Sequence, residues 1–273
     1  MIQEKCCSNT TSCAFLLTLP LYIASIIGIK VSRELAVLLE CNMNIQGLQR
    51  VSLLDYPDLI ACTVFTGGCN FRCPFCHNST LVVPEEMTAP EMDEDDFFAF
   101  LASRTNKLDG VCISGGEPLL QPDLAPFIRR IREMGFAVKL DTNGSMPDRL
   151  KDLVNAGLID YVAMDIKNSP SQYAVTVGVE NLSLDKISES ISFLLTGAVP
   201  YKFRTTLVKE LHTAADIEQI SQWIKGAPKY YLQEFVDSGS LIGQDLHACS
   251  RGQTEEFRRI AAEYIPSVQL RGT

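Results

Sequence analysis

From residue 43 onward, short apolar runs alternate with amphipathic stretches. Residues 60–66 form an apolar, β-branched run closed by Gly67-Gly68, which predicts a buried strand. Residues 90–104 begin acidic and carry Phe97, Phe98 and Leu101 on one face, as a helix does. The same alternation predicts strands over 111–114, 136–141, 161–165, 201–207 and 230–236, with a last short one over 267–270. Helices are expected between them over 121–134, 147–155, 184–195, 214–225 and 254–264. Pro147 opens one of these helices and Gly157 follows it, the order that helix ends favour.

About six βα units in tandem predict an α/β protein with a parallel sheet and right-handed crossovers. An open doubly wound sheet and a barrel both satisfy this alternation. The polar residues favour the barrel. The segment around Cys69, Gly115-Gly116-Glu117, Asp141-Thr142-Asn143-Gly144 and Asp165-Ile166-Lys167 each follow or end a successive strand. In a barrel those strand ends converge on one mouth, where active sites lie. Six units are too few to close a ring of eight, so the expectation is an incomplete (β/α)6 TIM-like barrel with an open side.

Residues 1–42 differ from this pattern and read as an N-terminal extension. The uncharged run over 14–29 is interrupted by Pro20 and falls short of the roughly 18 apolar residues of a membrane-spanning helix. Glu4 offsets Lys5, and no small-residue cleavage site follows, so a signal peptide fits poorly. Translation beginning at Met43 explains the change of character. A membrane-associated apolar segment and a packed segment are the alternatives.

Composition adds three constraints. With 273 residues, 46% hydrophobic and 21% charged, the chain can bury a sizeable core. A formal charge of −9 argues against a nucleic-acid surface, though not against a nucleotide-like cofactor. The ten cysteines do not read as a disulfide framework, because only the 69–76 trio and the adjacent Cys6 and Cys7 are closely spaced. That distribution suits a reducing cytoplasm and a metal site.

Cys69, Cys73 and Cys76 have the spacing C-x3-C-x2-C, with Phe75 just before the third. Three thiolates on one loop can hold three irons of a [4Fe–4S] cube and leave the fourth open; cubes that only carry electrons take four cysteines. A zinc site would need a histidine to complete it. His77 directly follows Cys76 and reaches the same tetrahedral ion with difficulty, and no second C-x2-C pair exists. Ser114-Gly115-Gly116-Glu117-Pro118 by itself reads as a turn. Beside an open iron, its glycines let a ligand approach the backbone, and Glu117 supplies a carboxylate for an ammonium group. Cys62 and Cys112 fall in apolar strands and read as core residues.

The cysteine loop followed by Gly-Gly-Glu-Pro resembles the radical S-adenosylmethionine superfamily. Cys76-His77-Asn78, the segment 138–144, Met164-Asp165-Ile166-Lys167 and Phe203-Arg204-Thr205-Thr206 narrow the likeness to glycyl-radical-enzyme activases, and most of all to the activating protein of anaerobic ribonucleoside-triphosphate reductase. The likeness runs from residue 43 to about 236 and more loosely to the C-terminus, which makes residues 43–273 the radical S-adenosylmethionine domain and leaves 1–42 outside it.

The resemblance implies one [4Fe–4S] cluster on Cys69, Cys73 and Cys76, with S-adenosylmethionine on its open iron. One electron, from a donor such as flavodoxin or ferredoxin, then cleaves the sulfonium to a 5′-deoxyadenosyl radical. That radical removes a hydrogen atom from a glycine Cα of a partner glycyl radical enzyme, anaerobic ribonucleotide reductase being favoured over a lyase of the pyruvate formate-lyase type. Carried over by position, Phe75 packs near the adenine, and Gly115, Gly116 and Glu117 hold the methionyl amine. Asp141 and Asn143 line the cofactor side, Asp165 and Lys167 contact cofactor and peptide, and His212 lies on the ribose side. Arg204 either reaches the methionyl carboxylate or pairs with an acid across the mouth. Each has a plainer reading: Asp165 and Lys167 as a solvated strand end, His212 as an incidental loop histidine. From a different class, a zinc-binding structural module is the rival.

Overall fold

The computed structural model describes residues 43–83 and 90–272. The extension 1–42, with the proposed start at Met43 as its explanation, lies outside the described residues. Among the described residues no helix is long and apolar enough to cross a membrane.

One sheet of eight strands runs in sequence order. The strands are β1 (Ile45–Ser52), β2 (Ala61–Thr66), β3 (Gly110–Gly115), β4 (Ala137–Thr142), β5 (Tyr161–Asp165), β6 (Tyr201–Leu207), β7 (Tyr230–Glu234) and β8 (Val268–Arg271). β1 is antiparallel to β2; every later pairing is parallel. Helices α1 (Ser79–Val82), α2 (Glu94–Ala102), α3 (Leu124–Glu133), α4 (Pro147–Asn155), α5 (Tyr173–Val177), α6 (Leu184–Leu195), α7 (Ala214–Trp223) and α8 (Arg251–Ala262) lie between strands. β1 and β8 are the two edges, so the barrel is incomplete, as expected. The six βα units are those that begin with β2 to β7.

Three elements escaped the sequence pattern. β1 is an edge strand whose Ile-Gln-Gly-Leu-Gln-Arg-Val-Ser text is mostly polar, and only its two end residues are buried. α1 and α5 are too short to show a helical period. The last helix begins earlier than residue 254 because the Ser250 hydroxyl accepts from the Gln253 amide and the Gln253 side chain reaches back, a reciprocal cap. Likewise α2 starts at Glu94, where the Asp93 carboxylate accepts from the Asp96 N–H at 2.8 Å.

The helices bury one face against the sheet. Phe97 and Phe98 of α2 meet Phe127 of α3 with ring centroids 5.2 and 5.3 Å apart, a buried aromatic cluster. Lys139 and Asp141 on β4 and Lys202, Arg204 and Thr206 on β6 are spaced two apart, and alternate residues of a strand point to opposite sides, so each set shares one face. Loop 53–58 lies between β1 and β2: the Tyr56 ring lies 6.2 Å from that of Tyr161 at the start of β5, and Arg271 at the end of β8 donates to the Leu54 carbonyl at 3.3 Å.

Candidate active site

The C-terminal ends of β2 to β7 surround one cavity of about 270 Å³, open on one side. Eleven of the thirteen site residues expected from the sequence line it: the three cysteines, Phe75, Gly115, Gly116, Asp141, Asn143, Asp165, Lys167 and Arg204. Glu117 and His212 do not.

The cysteine loop leaves β2 after Gly67-Gly68 and is shaped by its own backbone. Arg72 Nη1 donates to the carbonyls of Cys69 and Phe71 at 2.7 and 2.8 Å, and the Cys76 amide donates to Cys73 O at 3.1 Å. Burial pushes the thiols of Cys69 and Cys73 up to about 11 and about 12, while Lys167 lowers both. All three thiols are free, and a metal displaces the proton when a thiol becomes its ligand. Among the described residues no three His, Cys, Asp or Glu side chains converge as one metal ion requires. A cube places each ligand sulfur on a separate iron, so three thiols on one loop lining the cavity, with a lysine beside them, fit it.

A segment from beyond β7 straps the outside of this loop. The Phe235 ring lies 5.8 Å from that of His77, Ser238 Oγ donates to His77 O at 3.3 Å, and the Gly243 amide donates to Pro74 O at 2.8 Å. Its far end is tied to the end of β6, where the Lys209 amide donates to His247 O at 3.0 Å and the His247 amide to Glu210 Oε2 at 2.9 Å.

Gly115 and Gly116 carry β3 past the start of the cysteine loop. The Gly116 amide donates to Thr66 O and the Glu117 amide to Gly68 O, at 2.9 and 2.8 Å. A Cβ on Gly116 would lie 1.9 Å from Gly68 O, and Gly115 has φ +119°, so only glycine fits. Glu117 turns away from the cavity. Fully buried, its carboxylate accepts from Thr142 Oγ1, the Asn143 amide and the Leu119 amide at 2.9, 2.7 and 3.1 Å. Burial pushes it up to about 7 against these donors. It brackets the Gly-Gly turn to the end of β4, with every donor that it meets already inside the protein. Asn143 extends the bracket by donating to Asn70 Oδ1 at 2.9 Å.

Opposite the cysteines, charges alternate across three strands. Lys139 pairs with Asp141 on β4; Arg204 on β6 donates to Asp141 at 3.1 Å and to Asp165 on β5 at 2.7 Å; Lys167 donates to Asp165 at 3.0 Å. Burial alone would raise both carboxyls, but the Arg204 guanidinium, with Lys139 beside Asp141 and Lys167 beside Asp165, holds them well below the usual range. Burial opposes the charge of Lys167, and Asp165 and Cys73 outweigh it. Arg204 thus pairs with acids across the mouth, and Asp165 and Lys167 are not a solvated strand end. His212 lies behind this wall. It is 3% exposed, with Nε2 at 3.0 Å from Lys167 O and Nδ1 accepting from the Val208 amide at 3.0 Å. Its position ties the end of β5 to the end of β6.

Other polar residues were missed by the sequence pattern. Lys202, on the same face as Arg204, is fully buried, and among the described residues its Nζ has no hydrogen-bond partner. It lies 5.0 and 5.9 Å from the rings of Tyr231 and Tyr161, and burial lowers it to about 7. Asp55, Thr206 and Gln233 also line the cavity. Strand parity could have found Thr206, two residues beyond Arg204. Cys62 and Cys112 are core residues as expected, and Cys112 accepts from Lys139 Nζ at 3.3 Å.

The model of the radical SAM superfamily matches residues 63–224. A candidate glycyl-radical enzyme activating enzyme of Methanocaldococcus jannaschii is 33% identical over 235 residues, which covers 83% of this chain and 95% of that protein. The pyruvate formate-lyase-activating enzyme of Clostridium pasteurianum is 31% identical over 128 residues, 45% of this chain and 52% of that one. Among solved structures, Streptococcus suis SuiB bound to S-adenosylmethionine superposes with a TM-score of 0.58 at 13% identity, over 75% of this chain and 48% of SuiB, a likeness of fold. The family match overturns the zinc-module alternative. The chain belongs to the radical SAM superfamily, whose enzymes use S-adenosylmethionine and a [4Fe–4S] cluster held by three cysteines, and it is homologous to glycyl-radical enzyme activating enzymes.

Proposed function

We propose that this enzyme generates a glycyl radical on a partner protein, the anaerobic ribonucleoside-triphosphate reductase. The observation that carries this reading is the cavity at the strand ends. It brings three thiols, a backbone cradle at Gly115-Gly116 and the Asp165–Lys167 pair to one mouth with an open side. The length of the match to the M. jannaschii protein supports the activase class, and the choice of the reductase as partner rests on the segments 138–144, 164–167 and 203–206.

Cys69, Cys73 and Cys76 hold the cluster, and Phe75 bounds the adenine side. The carbonyl edge at Gly115 and Gly116 receives the methionyl amine, with Glu117 fixing the turn from behind. Lys167, kept charged by Asp165, faces the methionyl carboxylate. Asp141 and Asn143 form the β4 wall, Arg204 bridges Asp141 and Asp165, and His212 supports the ribose side through the Lys167 carbonyl. When bound, cluster and S-adenosylmethionine together supply a 5′-deoxyadenosyl radical able to take a hydrogen atom from a glycine Cα. The chain itself binds, orients and excludes water. The electron comes from a flavodoxin or ferredoxin, and the reducing cytoplasm is the compartment such a cluster needs.

The test is anaerobic reconstitution to about four irons and four sulfides per chain, then incubation with S-adenosylmethionine, dithionite and the reductase. EPR is expected to show a glycyl radical doublet on the reductase. A doublet only on a lyase of the pyruvate formate-lyase type, the second reading favoured by the C. pasteurianum relative, would overturn the choice of partner.

A further inference from the structure

The cavity has polar side chains that its own network leaves unused. Asp141, Asp165, Lys167 and Arg204 satisfy one another, Asn143 bonds to Asn70, and Asp55 accepts from Thr63 Oγ1 at 2.6 Å. Thr206 on β6 and Gln233 on β7 differ. They are Cα partners in the parallel register, both half-buried and both lining the cavity. Among the described residues neither side chain has a hydrogen-bond partner.

A glycine offers no side chain to grip, so an enzyme that acts at its Cα must hold the main-chain N–H and C=O. A carboxamide carries one acceptor and two donors, and a hydroxyl turns to serve as either. Two such neutral groups side by side match a peptide unit, where the nearby charges of the Arg204 network would draw ions instead. Orientation matters because the reacting atoms must meet within van der Waals contact.

Resting on the activase reading, we propose that Gln233 and Thr206 bind the backbone of the glycine-bearing segment of the partner and orient its Cα–H toward the cofactor side of the cavity. The pair sits on β6 and β7, so the segment enters along that wall of the cavity.

The test uses reductase labelled with Cα-dideuterated glycine, with dithionite as the electron source. As the glycine Cα–D bond breaks, a C–D bond forms at the 5′ carbon, so deuterated 5′-deoxyadenosine reports coupled turnover. In Gln233→Leu and Thr206→Val the deuterated fraction of all 5′-deoxyadenosine is expected to fall roughly tenfold, the loss of one useful hydrogen bond. Affinity for the reductase, read by titration calorimetry, is expected to weaken by a similar factor. A deuterated fraction and affinity equal to wild type, or a total product and iron content that fall in step with the fraction, overturn the proposal. If wild type transfers no deuterium from reductase or from a lyase, the activase reading itself fails, and the proposal with it.

Discussion

The Glu117 carboxylate accepts a hydrogen bond from the main-chain amide of Asn143, 2.7 Å away. This contact joins the Gly-Gly turn after β3 to the end of β4, so two walls of the cavity move as one. It also has a titration signature. Burial raises Glu117 from its ordinary 4.5 to about 7, so between those values the folded protein keeps a proton that the unfolded chain has lost. Stability therefore falls as pH rises through that window, by roughly 3 kcal/mol from this group. Urea unfolding from pH 4.5 to 7.5 should show that decline, and Glu117→Gln should flatten it. An unchanged slope in the variant would assign the titration elsewhere.

Asp141→Asn should be costly. It leaves Lys139, with a side chain 0% exposed, and Arg204 without the acid they share. Removing one member of a buried pair costs roughly 3–5 kcal/mol. Thermal unfolding of the variant should begin well below that of wild type, and a shift of a degree or less would contradict the pairing.

Gly116→Ala tests the turn itself. The new Cβ meets a backbone oxygen, Gly68 O, which has no rotamer to yield. Overpacking of this kind costs about 1–3 kcal/mol. Since the displaced backbone leads directly into Cys69, S-adenosylmethionine affinity should drop at least tenfold by equilibrium dialysis.

Gly243→Ala probes the strap. Its Cβ would stand 2.6 Å from Pro74 Cβ, between Cys73 and Cys76. The strap should lift and admit solvent to the cysteine loop. The visible cluster absorbance is expected to bleach several-fold faster in air, at a thermal midpoint close to wild type. Equal bleaching rates would show that the strap gives no cover.

Much of this architecture was legible in the text. The spans of α4, β5, α6 and β6 match their apolar periods residue for residue, because Pro, Gly and β-branched runs punctuate them clearly. β1 was not, since an edge strand with a polar face carries no period to read. Glu117 was legible as a site residue but not as a bracket, for its direction depends on how closely β3 approaches β4.

The βα order, the cysteine spacing and the polar residues at strand ends can all be read from the text, because each depends on neighbours close along the chain. Only packing places Arg204 between Asp141 and Asp165, stands Gln233 beside Thr206 and seats Gly243 on Pro74. Each of these joins residues far apart in sequence. Which strands lie side by side, and in what register, sets such meetings, and that depends on the whole sheet rather than on neighbours along the chain.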